Sequence, residues 1–60
     1  MILEAVWLLN GEEVFSVNPV QDLICDDIIT SIYDIEVYNG FNWYKYPTAD
    51  DFVIRIKKEN

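Results

Sequence analysis

The sequence predicts an α+β fold, a small antiparallel sheet in ββαβββ order with one short helix packed on a face. Three features predict it. Asn10-Gly11 and Asn39-Gly40 each stand between strand-like runs, and Asn-Gly is the strongest short hairpin signal because both residues tolerate the positive φ of a type I′ turn. Asn18-Pro19 opens a stretch whose apolar residues recur at helical spacing. Phe52-Val53-Ile54-Arg55-Ile56 alternates as a half-buried strand does.

Residues 2–9 form an apolar run interrupted only by Glu4, the pattern of a strand buried on both faces near the middle of a sheet. Across a two-residue turn at Asn10-Gly11, the return strand Glu12 to Val17 sets Leu9 opposite Glu12, Trp7 opposite Val14, Val6 opposite Phe15 and Ala5 opposite Ser16. Asn18 is then suited to cap a helix and Pro19 to begin one, with φ already set and no N–H to leave unbonded. Val20, Leu23, Ile24 and Ile28 supply the apolar arc of a helix from Pro19 to about Ile28. Asp26 and Asp27 oppose that helix at its C-terminal end, and Ile28-Ile29-Thr30 is β-branched. A competing reading makes Ile29 to Tyr38 one long strand, with Ile29, Tyr33, Ile35 and Val37 on one face.

The central hairpin runs from Tyr33 to Tyr46. A two-residue loop sets Tyr38 opposite Phe41, Glu36 opposite Trp43 and Ile35 opposite Tyr44. One face then carries Tyr33, Ile35, Val37, Tyr44 and Tyr46, and reads as core. The other carries Asp34, Glu36, Tyr38, Phe41, Trp43 and Lys45. Pro47 to Asp51 makes a turn or a single helical turn. The last strand points Phe52, Ile54 and Ile56 inward and Val53, Arg55 and Lys57 outward. Trp7, Phe15, Ile35, Phe52 and Ile54 are expected to be largely buried.

Sixty residues, 1–60, suffice for a single domain. A domain of this size buries only about 60% of the surface of its unfolded chain and needs a rich core or a staple. Cys25 is the only cysteine and there is no histidine, which excludes an internal disulfide and a zinc site. The hydrophobic fraction of 52% and the aromatic fraction of 15% supply the rich core and argue against a disordered acidic tail. No apolar run approaches the ~20 residues of a membrane-spanning helix. The start lacks the basic segment of a secretory signal, so a cytoplasmic protein with one reduced thiol is expected.

The net charge is −7, and Glu4, Glu12, Glu13, Asp22, Asp26, Asp27, Asp34 and Glu36 all precede the first basic residue, Lys45. Direct binding to nucleic acid is not expected, because that affinity comes from Lys and Arg on phosphates. A protein partner with a basic surface is favoured instead, nucleic-acid-binding proteins among them.

Catalytic chemistry is hard to assemble from this sequence. Histidine, the commonest general base, is missing, and Cys25 has no basic neighbour to make it a thiolate. The hydroxyls of Ser16, Thr30, Ser31 and Thr48 have no base to activate them. Glu12-Glu13, Asp26-Asp27 and Asp50-Asp51 are adjacent pairs, and adjacent acids on a strand point to opposite faces. None follows a calcium-loop pattern. No catalytic residue, metal ligand or cofactor is expected.

What remains is the outward face of the central hairpin. Asp34, Glu36, Tyr38, Phe41 and Trp43 are the expected partner-binding residues: Trp and Tyr dominate binding hot spots, and acids steer a basic partner. Two rival arrangements would remove that face, an inverted hairpin whose aromatics are core and a homodimer seam. The expected function is that of a small acidic inhibitor, a DNA mimic whose carboxylates occupy a basic groove while the aromatic patch supplies affinity. Compact inhibitors of this kind among virus- and mobile-element-encoded proteins are an analogy of size and charge, carried by no shared motif. The alternative is a structural or assembly protein, a homo-oligomer or small accessory subunit.

Overall fold

A computed structural model describes residues 1–25 and 34–58. Among these described residues six strands run in chain order: β1 (Ile2–Leu9), β2 (Glu12–Val17), β3 (Asp22–Ile24), β4 (Glu36–Tyr38), β5 (Trp43–Tyr44) and β6 (Asp51–Lys57). They form two three-stranded antiparallel sheets, ordered β2-β1-β6 and β3-β4-β5. The α+β expectation is thereby overturned. There are two sheets where one was expected, and no α-helix packs on a face among the described residues.

The expected helix fails in its first half, because Asp22, Leu23 and Ile24 pair with Tyr38, Val37 and Glu36. The N–H of Val20 donates to Leu3 O at 2.9 Å, and that of Gln21 to Tyr38 O at 2.8 Å. Val20, Leu23 and Ile24 fit a helical arc, but a helix of about ten residues is marginal without tertiary support. Strand pairing satisfies the same backbone groups and sets Leu23 across from buried Val37. The second half of that helix, Asp26 to Ile28, and the strand reading over Ile29 to Tyr33 fall outside the described residues.

The first hairpin has the turn that its sequence predicts. Asn10 and Gly11 have φ of 53° and 82°, and Leu9 faces Glu12. Beyond that the register departs from expectation. Leu8 faces Glu13 but Trp7 faces Phe15, so Val14 is an extra, unpaired residue and β2 bulges there. The bulge turns Phe15 and Val17 onto the side of Trp7 and Ala5. Trp7 then packs Phe15 at a ring-centroid distance of 5.4 Å and Phe52, opposite it on β6, at 5.0 Å.

Ala5, Trp7 and Val17 from the first sheet meet Ile35 and Val37 from the second, with Ala49 from the connection into β6. Phe15, Val20, Tyr44, Tyr46 and Phe52 pack around them. Phe15 joins the layers, lying 6.0 Å from the Tyr44 ring and 5.7 Å from that of Tyr46. The Trp7 indole Nε1 is buried and meets no hydrogen-bond acceptor among the described residues. An orphaned buried donor of this kind costs about 1–3 kcal/mol.

The alternation along β6 is as expected, but the covering layer does not reach its far end. Phe52 is half-buried, whereas Ile54 is 40% and Ile56 62% exposed, so the expected burial of Ile54 does not hold. Among the described residues no helix is long and apolar enough to cross a membrane.

Candidate functional site

The two sheets close their outer faces in different ways. On the first, β1 is the central strand, and Glu4 lies opposite Arg55 of β6. Arg55 Nε donates to Glu4 Oε1 at 3.0 Å, while Nη1 and Nη2 reach across to the Glu13 carboxylate on β2 at 2.9 and 3.0 Å. Glu13 faces Leu8, so the guanidinium spans the registers on either side of Val6, which is fully buried. Glu4 is buried too, and its other oxygen accepts from Asn18 Nδ2 at 3.3 Å. The hydrogen bonds from Arg55 hold the Glu13 carboxyl below its ordinary value and raise the Arg55 pKa above its own. Two of the acids that make up the sequence's negative excess are thus spent on internal ion pairs with Arg55.

On the second sheet the outer face carries aromatics. The core set is placed as expected: Ile35 and Val37 are buried, and Tyr44 and Tyr46 half-buried. Tyr33, expected beside them, lies outside the described residues. Of the outer set, Glu36, Tyr38 and Trp43 share the opposite side, so the inverted hairpin does not occur. Tyr38 faces Trp43 across β4 and β5, and their rings stack at 5.0 Å with 28° between planes. Trp43 is 43% exposed even so.

The partner pairs are not those of a two-residue turn. Val37 faces Tyr44 and Tyr38 faces Trp43, which leaves a four-residue loop of Asn39, Gly40, Phe41 and Asn42. The Asn39 side-chain oxygen accepts from the N–H groups of Phe41 and Asn42, both at 2.9 Å. The Asn39 N–H donates to Asn42 O at 3.2 Å, and Gly40 takes φ of 102°. The Tyr38 hydroxyl closes the loop by donating to Gly40 O at 3.0 Å. Phe41 therefore does not pair with Tyr38; it projects at the tip and is 85% exposed.

Glu36 is half-buried on β4 beside this stack, and Asp34 precedes the strand as an exposed residue. Sequence reasoning missed two members of the same face. Asp22 faces Tyr38 and Ile24 faces Glu36, so β3 adds a carboxylate and an exposed isoleucine. Only recognition of β3 as a strand could have found them, and the local apolar spacing pointed the other way. The outer face of β3-β4-β5 thus presents Ile24, Tyr38 and Trp43 with Asp22 and Glu36, and Phe41 at its rim.

An open groove of about 270 Å³ runs between the sheets at Phe15, Ser16, Val17, Asn18, Asn39 and Tyr44. Its lining holds one phenol, that of Tyr44, and no carboxylate or amine. Among the described residues no three of His, Cys, Asp and Glu lie close enough to hold a metal ion. Compared with protein-family models, curated proteins and solved structures, the chain matches none.

Proposed function

We propose that this chain is a non-enzymatic binding protein that docks through the outer face of β3-β4-β5 onto a basic groove of a nucleic-acid-handling protein, and inhibits it by occupying that groove. The observation that carries this reading is the stacked Tyr38–Trp43 pair on the solvent side, with Phe41 85% exposed beside it. Singly exposed apolar residues are ordinary, but clustered exposed aromatics are the usual anchors of an interface. The stack is already ordered by its own contact and by the Tyr38 hydroxyl bond, so little side-chain freedom is lost on docking. Asp22 and Glu36 flank these rings on the same face, with exposed Asp34 farther along the chain ahead of β4, and carboxylates in that position stand in for phosphates. The proposed site of action is the cytoplasm, where the exposed thiol of Cys25 stays reduced.

The test is affinity capture from cells that carry the protein, with wild type beside Phe41→Ala/Trp43→Ala, and with duplex DNA as competitor. The reading expects a DNA- or RNA-handling protein that duplex DNA displaces, that the double variant fails to retain, and whose retention falls steeply with salt. Retention indifferent both to the double substitution and to DNA would defeat it.

A further inference from the structure

We infer that β6 is a self-pairing edge, through which two copies of this chain join antiparallel about a two-fold axis at Ile54. The docking face lies on the other sheet, so this inference stands apart from the proposed function. Among the described residues no strand pairs with the outer edge of β6, because the first sheet ends there.

The four sheet edges among the described residues differ in how they are protected. β2 carries Glu12 and Glu13 and bulges at Val14, and acids and bulges are both common defences of an edge. β3 has three residues and β5 two, too short to template a partner. β6 has seven residues, pairs with β1 in unbroken register, and holds neither proline nor bulge; its charged residues, Asp51, Arg55 and Lys57, all lie on the outer face, and Arg55 is already held by Glu4 and Glu13. Its apolar side chains beyond Phe52 are poorly covered: Val53 and Ile54 are 40% exposed and Ile56 62%, as is Leu3 of β1, opposite Ile56, at 38%.

The sequence of β6 is complementary to its own reverse. Centred on Ile54, antiparallel pairing sets Asp51 of each copy opposite Lys57 of the second, Phe52 opposite Ile56, Val53 opposite Arg55, and Ile54 opposite Ile54. Both opposite-charge pairs fall on the outer face, and all the apolar pairs that include Ile54 and Ile56 fall on the inner face, where those residues are uncovered. Other registers are worse. A centre at Arg55 sets that cation against itself. A centre at Val53 sets Asp51 against Arg55, which Glu4 and Glu13 already hold, and leaves Ile56 and Lys57 beyond the seam. The product is a six-stranded sheet, β2-β1-β6 continued into β6-β1-β2 of the second copy, with one closed isologous interface and acid-guarded edges.

A charge-reversal series tests both the dimer and its register, with sedimentation of the full chain as readout and circular dichroism as the check on folding. Wild type is expected to sediment as a dimer. Asp51→Lys and Lys57→Asp each place like charges together twice, by symmetry, and should weaken dimerisation about tenfold. The double variant restores both pairs in reverse and should return the dimer to near wild-type strength. A monomeric wild type overturns the inference, as does a dimer indifferent to Lys57→Asp or a double variant no better than either single change.

Discussion

The same dipeptide caps both hairpins and builds two different turns. Asn10-Gly11 is the whole loop of the first hairpin, and both residues take positive φ. In the second, Asn39 contributes its side chain instead: its oxygen gathers the N–H groups of Phe41 and Asn42 and widens the loop to four residues. The consequences for the strands are opposite. The first turn is as expected, yet the bulge at Val14 slips β2 by one residue and reverses which side chains face inward. The second turn is two residues longer than expected, and a change of two takes Phe41 into the loop but leaves the side chains that still pair on their own faces. A correct turn therefore did not guarantee correct faces, and an incorrect turn did not spoil them. Parity of the register, not the turn type, decides what is buried.

The largest expected effect separates the tryptophans of the two hairpins. Trp7 is fully buried between Phe15 and Phe52, so Trp7→Ala should cost about 3–5 kcal/mol. In a chain of this size that unfolds much of the population. Trp43 stacks on one neighbour and faces solvent, so Trp43→Ala should cost about 1 kcal/mol. Urea titration followed by circular dichroism measures both. Equal losses would mean that the outer face of the second sheet is a second core.

That contrast also explains what was legible in the sequence. Alternation gave the faces of β4, β5 and β6, and with them the shared side of Glu36, Tyr38 and Trp43, because period two survives any even change of register; Phe41 instead lies in the loop and Asp34 ahead of β4. The Val14 bulge was hidden, since Val14 and Phe15 are both acceptable partners for Trp7 by type. What selects Phe15 is the space between Tyr44 and Tyr46 on the opposite layer, a tertiary fact. β3 was hidden for a related reason. Val20, Leu23 and Ile24 suit a helix locally, but the backbone partners of Leu23 and Ile24 lie on β4, well downstream, and that of Val20 is Leu3 on β1. Ile54 and Ile56 were read correctly as inward, but nothing in their own pattern tells how far the facing sheet extends.

A middle-sized effect tests the two roles of asparagine directly. Asn10→Gly keeps positive φ available and should change stability by only a few tenths of a kcal/mol. Asn39→Gly removes an acceptor of two backbone N–H groups and should cost about 1–2 kcal/mol. Asn39→Asp retains an oxygen in place and should recover most of that loss. Thermal unfolding of the three variants ranks them, and an Asn10→Gly that is the most damaging would reverse the assignment of the two turns.

The smallest effect concerns the outer faces, one closed by ions and the other by rings. Glu13 is held below its ordinary value of 4.5 by the Arg55 hydrogen bonds, and both side chains are about half exposed. A carboxyl depressed in the folded chain adds stability that is complete above its unfolded value and is lost as pH falls through the lowered folded one. Glu13→Gln should therefore lower stability slightly at neutral pH. The gap between variant and wild type should close as pH is taken from 7 down past 4.5. Added salt should narrow the same gap at neutral pH, because exposed pairs are screened. Trp43→Phe, on the face closed by rings, should show no comparable dependence on either variable, since a stack carries no proton. Denaturant midpoints across that pH range, at low and high salt, measure all of this. A Glu13→Gln gap that stays constant down to acid would show that the charge of the Glu13 carboxylate is not what the variant loses.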